Sequence, residues 1–312
     1  MSTIRVFAPA SVSNVTCGFD ILGFALEDLG DEVTARVVEE PGVVVESISG
    51  DDGRLPRDAR LNTASIAAQA VVDRLSQEGC GLAISIAKNM PISSGLGSSA
   101  ASAVAATLAA DAALGGSLDR EDLLLCALEG ERAASGAIHA DNVAPSMLGG
   151  LVLVRSAQPP DLVSLPIPEG LSCALLLPRI EIRTHEARAL LGDSIPLETA
   201  VKQWGNVAGL IAGLYEGDWG LLRRSLVDVV AEPVRAPLVP GFEGVKTAAI
   251  EAGALGCSLS GSGPAIFALC QGRELAESVS EAMHRTFEEQ VGIDSTSLVS
   301  AVGAPGARIV SD

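Results

Sequence analysis

The chain has 312 residues, 48% hydrophobic but only 3% aromatic, so its core must be built from Ala, Val, Leu and Ile in one large or two medium domains. Its 39 acidic and 21 basic residues leave a formal charge of −18, which repels nucleic acid and excludes a polybasic membrane anchor. The longest apolar run, 100–114, carries Ser102, Thr107 and Asp111 and reads as a buried helix rather than a membrane span. Residues 1–6 lack the apolar core of a signal peptide.

In chain order, β-branched runs predict strands at 4–7, 32–38, 43–48 and 82–87. Apolar periodicity predicts helices at 62–77, 98–114 and 119–134. Gly149-Gly150 precedes a strand at 151–155, and the proline-bearing segment 156–170 reads as a crossing between halves. The second half opens with a strand at 172–177. Helices follow at 184–191, 197–215, 219–230 and 242–253. A short strand at 257–260, a Gly/Ser turn, a strand at 265–270, a helix at 274–291 and a strand at 296–302 complete it. Strands and helices mix without strict alternation, which predicts an α+β fold with helices on one face of mostly antiparallel sheets. The six cysteines form no C-x-x-C pair and read as buried free thiols in a reducing, cytoplasmic setting. His139, His185 and His284 have no zinc-site spacing.

The most informative stretch is Pro91-Ile92-Ser93-Ser94-Gly95-Leu96-Gly97-Ser98-Ser99-Ala100-Ala101-Ser102, between a predicted strand and an Ala-rich helix. Its glycines let the backbone bend and approach a ligand. Its serines sit where a helix begins, as N-caps beside free N–H groups. Those groups and the helix dipole make an anion site, usually for phosphate. Gly95 to Ala100 fits the dinucleotide pattern G-x-G-x-x-A, but seven residues separate the strand from the first glycine and Asp111 closes no second strand. No Walker motif occurs. What remains is a phosphate loop of another kind.

Four further clusters carry chemistry. In 8–20, Asn14 and Asp20 offer an amide and a carboxylate beside Gly18 in a segment that reads as a polar loop. Glu129 and Glu131 place acids at a helix end that prefers cations, which a bound Mg²⁺ would offset; His139, Asp141 and Asn142 follow. Thr184, Arg188 and Arg235 form the third group, and Ser260-Gly261-Ser262-Gly263-Pro264 the fourth.

Taken together, these segments resemble the GHMP kinase superfamily over nearly the whole chain. Pro91 to Ser102 matches its central motif and Ser260 to Pro264 its C-terminal motif. The pattern P-A-S-x-S-N-x-x-x-G-F-D, the run His139 to Pro145, Thr184-x-x-x-Arg188 and Glu232-Pro233-x-Arg235 resemble the homoserine-phosphorylating subgroup. The resemblance implies a ribosomal-protein-S5-like domain at 1–160, a ferredoxin-like domain at 161–312, and a cleft between them for ATP and L-homoserine. It implies nucleotide contacts from Asn62 (adenine), Lys88 (phosphate) and the loop residues Pro91, Ser94, Gly95, Leu96, Gly97, Ser98, Ser99, Ala100 and Ser102. Mg²⁺ would be held by Glu131 with either Ser98 or Ser99. Substrate would meet Asp20 through its ammonium and Arg188 and Arg235 through its carboxylate, with Asn14, His139 and Asn142 around its side chain. Asn142, Thr184 and Arg188 form the implied catalytic set. Asn142 stands where some superfamily members carry an aspartate base, so transfer would rest on positioning, with Asp141 the nearby alternative. Another small hydroxylated metabolite such as L-threonine, or a non-catalytic nucleotide sensor, are the rival readings; a homodimer is compatible with either.

Overall fold

The computed structural model of the protein describes residues 3–75, 79–136 and 138–310. Among them the first half runs β1 (Ile4–Ser13), β2 (Leu22–Val38), β3 (Gly42–Ser49), α1 (Thr63–Arg74), β4 (Gly81–Ala87), α2 (Ser98–Ala113), α3 (Arg120–Ser135), α4 (Ala140–Leu148), β5 (Leu151–Ala157) and β6 (Pro160–Leu165). The second half runs β7 (Leu171–Pro178), α5 (Thr184–Ala189), α6 (Leu197–Glu216), α7 (Trp219–Ser225), α8 (Glu232–Arg235), α9 (Phe242–Glu251), β8 (Gly256–Leu259), β9 (Ile266–Gln271), α10 (Arg273–Val291), β10 (Ser295–Ala301) and β11 (Arg308–Ile309). The first sheet has the order β11-β1-β2-β4-β3, with β5 joining β2 to β6; the second has the order β10-β7-β9-β8. Only the β3–β4 pair is parallel among the described pairings. The expected α+β class with mostly antiparallel sheets is what forms.

Sheet pairing carries β6 and the C-terminal β11 into the first sheet. The segment 156–170 is therefore not a bare crossing: its prolines flank a hairpin partner of β5. Long β2 pairs with β5 through Leu22–Phe24 and with β4 through Glu32–Val38. Phe24 of β2 and Phe267 of β9 pack edge to face with ring centroids 6.3 Å apart, joining the two sheets. Helix α2 packs on β1 and β2, and its Ala100, Ala101, Ala103, Ala105 and Ala106 are fully buried. Small side chains let that helix lie close to the sheet, which explains how so large a core needs so few aromatics.

Two local readings change, and a segment for which no element was expected forms a helix. Strand β1 continues through Ser13 instead of ending at Phe7, because Ser11 is buried with its hydroxyl donating to Asn142 Oδ1 at 2.9 Å. The segment after His139 is the helix α4, despite Pro145 in its interior. Proline removes the donor for the Asp141 carbonyl. That carbonyl turns onto Gly23 of β2, where a Cβ would lie 1.8 Å from it. Helix α7 stops at Ser225 because the Asp228 carboxylate collects the N–H groups of Val230, Ala231 and Glu232 and starts α8. The predicted reach of the first helix to Gln77 lies outside the described residues, as does Ala137.

Beneath the start of α2 lies a buried ion pair. Lys88, just after β4, donates its ammonium to Asp31 of β2, to Ser98 O at 2.9 Å and to Ser102 Oγ at 2.8 Å. Asp31 also accepts from Ser102 Oγ at 2.9 Å and Asn89 N at 3.1 Å. Burial pulls the Lys88 pKa down, against the opposing pull of Asp31. Lys88→Met should destabilise the fold by about 3–5 kcal/mol in urea unfolding, since Asp31 is left as a lone buried charge. Adding Asp31→Leu should restore most of that loss; a single variant of wild-type stability would deny the pair its structural role.

Candidate active site

Helix α2 begins on Gly97, whose φ of 65° is left-handed and which, among the described residues, supplies no side-chain cap. The first turn holds no acid. Ser98 and Ser99 are thus the first helical residues and not the N-caps expected from the sequence. Their N–H groups lack intrahelical acceptors and lie at the positive end of the dipole, an arrangement that attracts an anion.

The glycines here serve packing as well as ligand approach. A Cβ on Gly95 would stand 2.6 Å from Ser260 O, and one on Gly97 2.4 Å from Ser11 Oγ and 2.7 Å from Asn142 Oδ1. The second Gly/Ser loop is accordingly not a plain hairpin turn. Ser260 Oγ donates to Gly95 O at 2.7 Å, Ala265 N to Ser94 O at 3.0 Å and Gly261 N to Ser13 O at 3.3 Å. A loop of the second half thereby clamps the glycine-serine loop of the first.

A cleft of about 400 Å³ opens beside this clamp. Asn14, Asp20, Asn62 and Lys88 line it, with Ser94, Gly95, Gly97, Ser98, Ser99 and Ser102 of the loop. Glu131, His139, Asn142, Thr184, Arg188 and Arg235 complete the expected set on its wall. Pro91, Leu96 and Ala100 do not line it, and Leu96 and Ala100 are fully buried. Two lining residues are committed elsewhere. Asn62 caps α1, accepting from Ala64 N at 3.0 Å and donating to Pro56 O at 2.9 Å. Lys88 spends its ammonium under the loop, as described above, so it fixes the loop instead of reaching into the cleft.

The charged groups fall into two sets. Arg188 Nη1 donates to the Asp20 carboxylate at 2.8 Å, both side chains being more than a third exposed. Arg235 is buried and donates to Gly261 O at 3.0 Å. Burial lowers its pKa, with Asp20 pulling the other way. The Phe19 ring centroid lies 5.1 Å from each of the two guanidinium groups. Asn14 braces this corner by accepting from Asp20 N and donating to Gly261 O, both at 3.0 Å. In the other set, His139 Nδ1 lies 3.1 Å from Glu131 Oε1. Burial pulls His139 down, but the hydrogen bond and charge of Glu131 outweigh it and the net shift is upward. Glu131 is a buried residue one turn before the end of α3, whose last turn carries Arg132, so the helix does not end in acids as the sequence suggests.

Among the described residues no three His, Cys, Asp or Glu side chains are grouped to hold a metal. One carboxylate, Glu131, with a serine hydroxyl is nevertheless a donor set that suits Mg²⁺, which binds through one or two carboxylates and the substrate's phosphates.

The model of the GHMP kinases N-terminal domain matches residues 62–150 and that of the GHMP kinases C-terminal domain residues 210–289. A homoserine kinase of Chlorobium phaeobacteroides is 48% identical, covering 99% of this chain and 100% of its own. The chain belongs to the homoserine kinase family of GHMP kinases. A homoserine kinase of Xylella fastidiosa is 42% identical over 98% of this chain and 94% of its own. The crystal structure of homoserine kinase from Cytophaga hutchinsonii superposes with a TM-score of 0.96 at 49% identity, covering 99% of this chain and 98% of that chain. No described helix is long and apolar enough to cross a membrane.

Sequence reasoning missed several groups of this homoserine kinase family cleft. Phe19 was visible only as one letter of G-F-D, although an aromatic beside an acid in so aromatic-poor a chain was a usable signal. Ser11 stood only as one letter of P-A-S-x-S-N and Asp31 gave no signal, because their roles depend on partners 131 and 57 positions away. The apolar wall of Leu55, Pro56 and Leu61 reads as loop in sequence. Cys80 is half-buried, unlike the other five thiols.

Asp141 lines the cleft beside Asn142, and its Oδ1 has no hydrogen-bond partner among the described residues. Burial, with the charge of Asp20, pushes its carboxyl from 3.8 up to about 6. A raised carboxyl binds its proton better in the folded state, so stability falls as pH rises from about 4 to about 6 and stays reduced above. Asp141→Asn should remove that loss. The stability of the variant relative to wild type should improve by about 2 kcal/mol between pH 4 and pH 7. Urea midpoints at the two pH values read it, and a constant difference between the proteins would refute the raised pKa.

Proposed function

We infer that the protein transfers the γ-phosphoryl group of ATP to the side-chain hydroxyl of L-homoserine, giving O-phospho-L-homoserine on the route to threonine. The near full-length identity to homoserine kinases carries this reading. The chemistry of the cleft supports it from below. An uncapped helix start and a glycine-rich loop suit a triphosphate. The Asp20–Arg188 pair is exposed, and such pairs are held by little free energy. A zwitterion can open it by supplying a better partner to each side: its ammonium to Asp20, its carboxylate to Arg188 and the buried Arg235. Guanidinium forks match a carboxylate's two oxygens. A sugar or a hydroxy acid carries only part of that pattern.

In this reading Asn14 and His139 contact the substrate side chain, and Thr184 at the start of α5 faces it. Asn142, fixed by Ser11, orients the hydroxyl for in-line attack. An amide cannot take the proton, but a loose phosphoryl-transfer transition state depends mainly on alignment and charge neutralisation. Mg²⁺, when bound by Glu131 and Ser98 or Ser99, supplies charge neutralisation at the phosphates. The buried thiols agree with a reducing cytoplasm.

Two measurements test the reading. Of homoserine, threonine, mevalonate and galactose, homoserine should give the highest kcat/KM for ADP release. Arg235→Leu should raise the homoserine KM roughly 10–100-fold and leave that for ATP nearly unchanged; an ordinary homoserine KM would place the carboxylate elsewhere.

Asp141 offers a second reading, because a carboxyl near 6 facing the cleft fits a general base. Positioning alone predicts that Asp141→Asn keeps kcat within about tenfold, whereas loss of a base costs about 10²–10⁴.

A further inference from the structure

Residues 14–20 hold their shape against backbone preference. Asn14, Val15, Thr16 and Asp20 have φ of 69°, 40°, 60° and 62°. That left-handed region is a genuine outlier for β-branched residues such as Val15 and Thr16. It persists only where the surroundings over-determine it. The turn carries Asn14 and Asp20 to the cleft. Part of what holds it is apolar, since Val15 is buried and lines a small apolar cavity with Leu210 and Leu214 of α6. A buried amide adds a polar tie. Gln203 of α6 donates Nε2 to Cys17 O at 2.8 Å and to Asp228 Oδ1 at 2.9 Å, and its Oε1 accepts from Val229 N at 3.0 Å. Asp228 in turn collects the N–H groups that start α8, whose last residue is Arg235.

On the cleft side the same two segments meet again, because Gly261 O accepts from both Asn14 Nδ2 and Arg235 Nη1 at 3.0 Å. The bonds thus close a ring from Gln203 through the turn, Gly261, Arg235, α8 and Asp228 back to Gln203. Cut at Gln203, the two arms stay joined through Gly261 O and the Phe19 ring. Both donors and the acceptor of the amide are in use, and no other side chain offers that set at that length. Glu has no donor, Lys and Arg have no acceptor, and Asn is one methylene short. We propose that Gln203 is a positioning residue for the amino-acid substrate. It does not line the cleft, yet it fixes the spacing between Asp20, the partner of the ammonium, and Arg235, a partner of the carboxylate. This inference rests on the homoserine reading given above. Homoserine spans those two groups in ground and transition state alike, so a lost spacing weakens both equally and moves KM rather than kcat. The loop proposed to hold ATP is tied elsewhere, through Lys88 and Ser260.

Steady-state kinetics of the full chain test this. Gln203→Met, close in volume, should raise the homoserine KM about tenfold, keep kcat within about twofold and leave the ATP KM unchanged. Gln203→Asn keeps an amide that cannot span all three partners; it should act the same way, and it serves if the methionine variant does not fold. Two controls separate spacing from general softening. Asn206→Ala removes another tie of α6 to the same segment, Nδ2 to Val227 O at 2.8 Å, but none to the turn. Met283→Ala opens a cavity in the core under α10, outside the cleft, and should lower the urea midpoint. Both controls should keep the homoserine KM of wild type. An unchanged homoserine KM in folded Gln203→Asn overturns the proposal, and so does an equal rise in Met283→Ala. A kcat that falls while KM holds also overturns it. If Arg235→Leu shifts the homoserine KM and the Gln203 variants do not, the substrate reading stands and this inference alone fails. If none of them shifts it, the reading itself falls.

Discussion

The start of α2 is the point on which this molecule turns. A helix that begins on a left-handed glycine leaves polar N–H groups without partners, and they attract an anion only if they are held still. From below, the Lys88–Asp31 pair ties Ser98 and Ser102 to β2 and β4. From the side, Ser260 and Ala265 bond the loop backbone at Gly95 and Ser94. The two halves of the chain thus share one rigid element, and ligand groups from each face it across the cleft.

Electrostatics in a chain of charge −18 must be local if the chain is to hold anions. In the proposed reading the cleft does this with helix-start amides and two arginines of different standing. Arg235 is buried, stacked on Phe19 and bonded to Gly261 O, and its orientation is set before any ligand arrives. Arg188 is exposed and bound to Asp20, a contact open to exchange. The Phe19 ring lies within cation–π reach of both guanidinium groups and favours two like charges at one site. A preset cation and an exchangeable pair together suit a ligand that brings both charge signs.

Much of this was legible in the sequence because it is local. Glycine and serine spacing marked the loop at 91–102, periodicity marked α1, α2, α6 and α10, and Asn14, Asp20, Arg188 and Arg235 stood in recognisable patterns. What failed to show depended on distant partners. Residues 8–13 look too polar for a core strand, yet they form one because Ser11 finds Asn142 and Ser146 Oγ donates to Pro9 O at 2.7 Å. Pro145 looks like a helix breaker, yet α4 accommodates it because Gly23 leaves room for the carbonyl it frees. Lys88 and Asn62 look like ligand contacts, and their side chains are spent on Asp31 and on the cap of α1.

The sequence by itself determined the family, the mixed α+β class, the position of the glycine-serine loop at the start of α2 and the residue types around it, since all of these rest on short-range backbone preferences and on motif order. Tertiary structure alone decided which of those residues keep polar atoms available to the cleft. That choice depends on burial and on hydrogen-bond partners from far along the chain, and no local pattern encodes which distant group will arrive first.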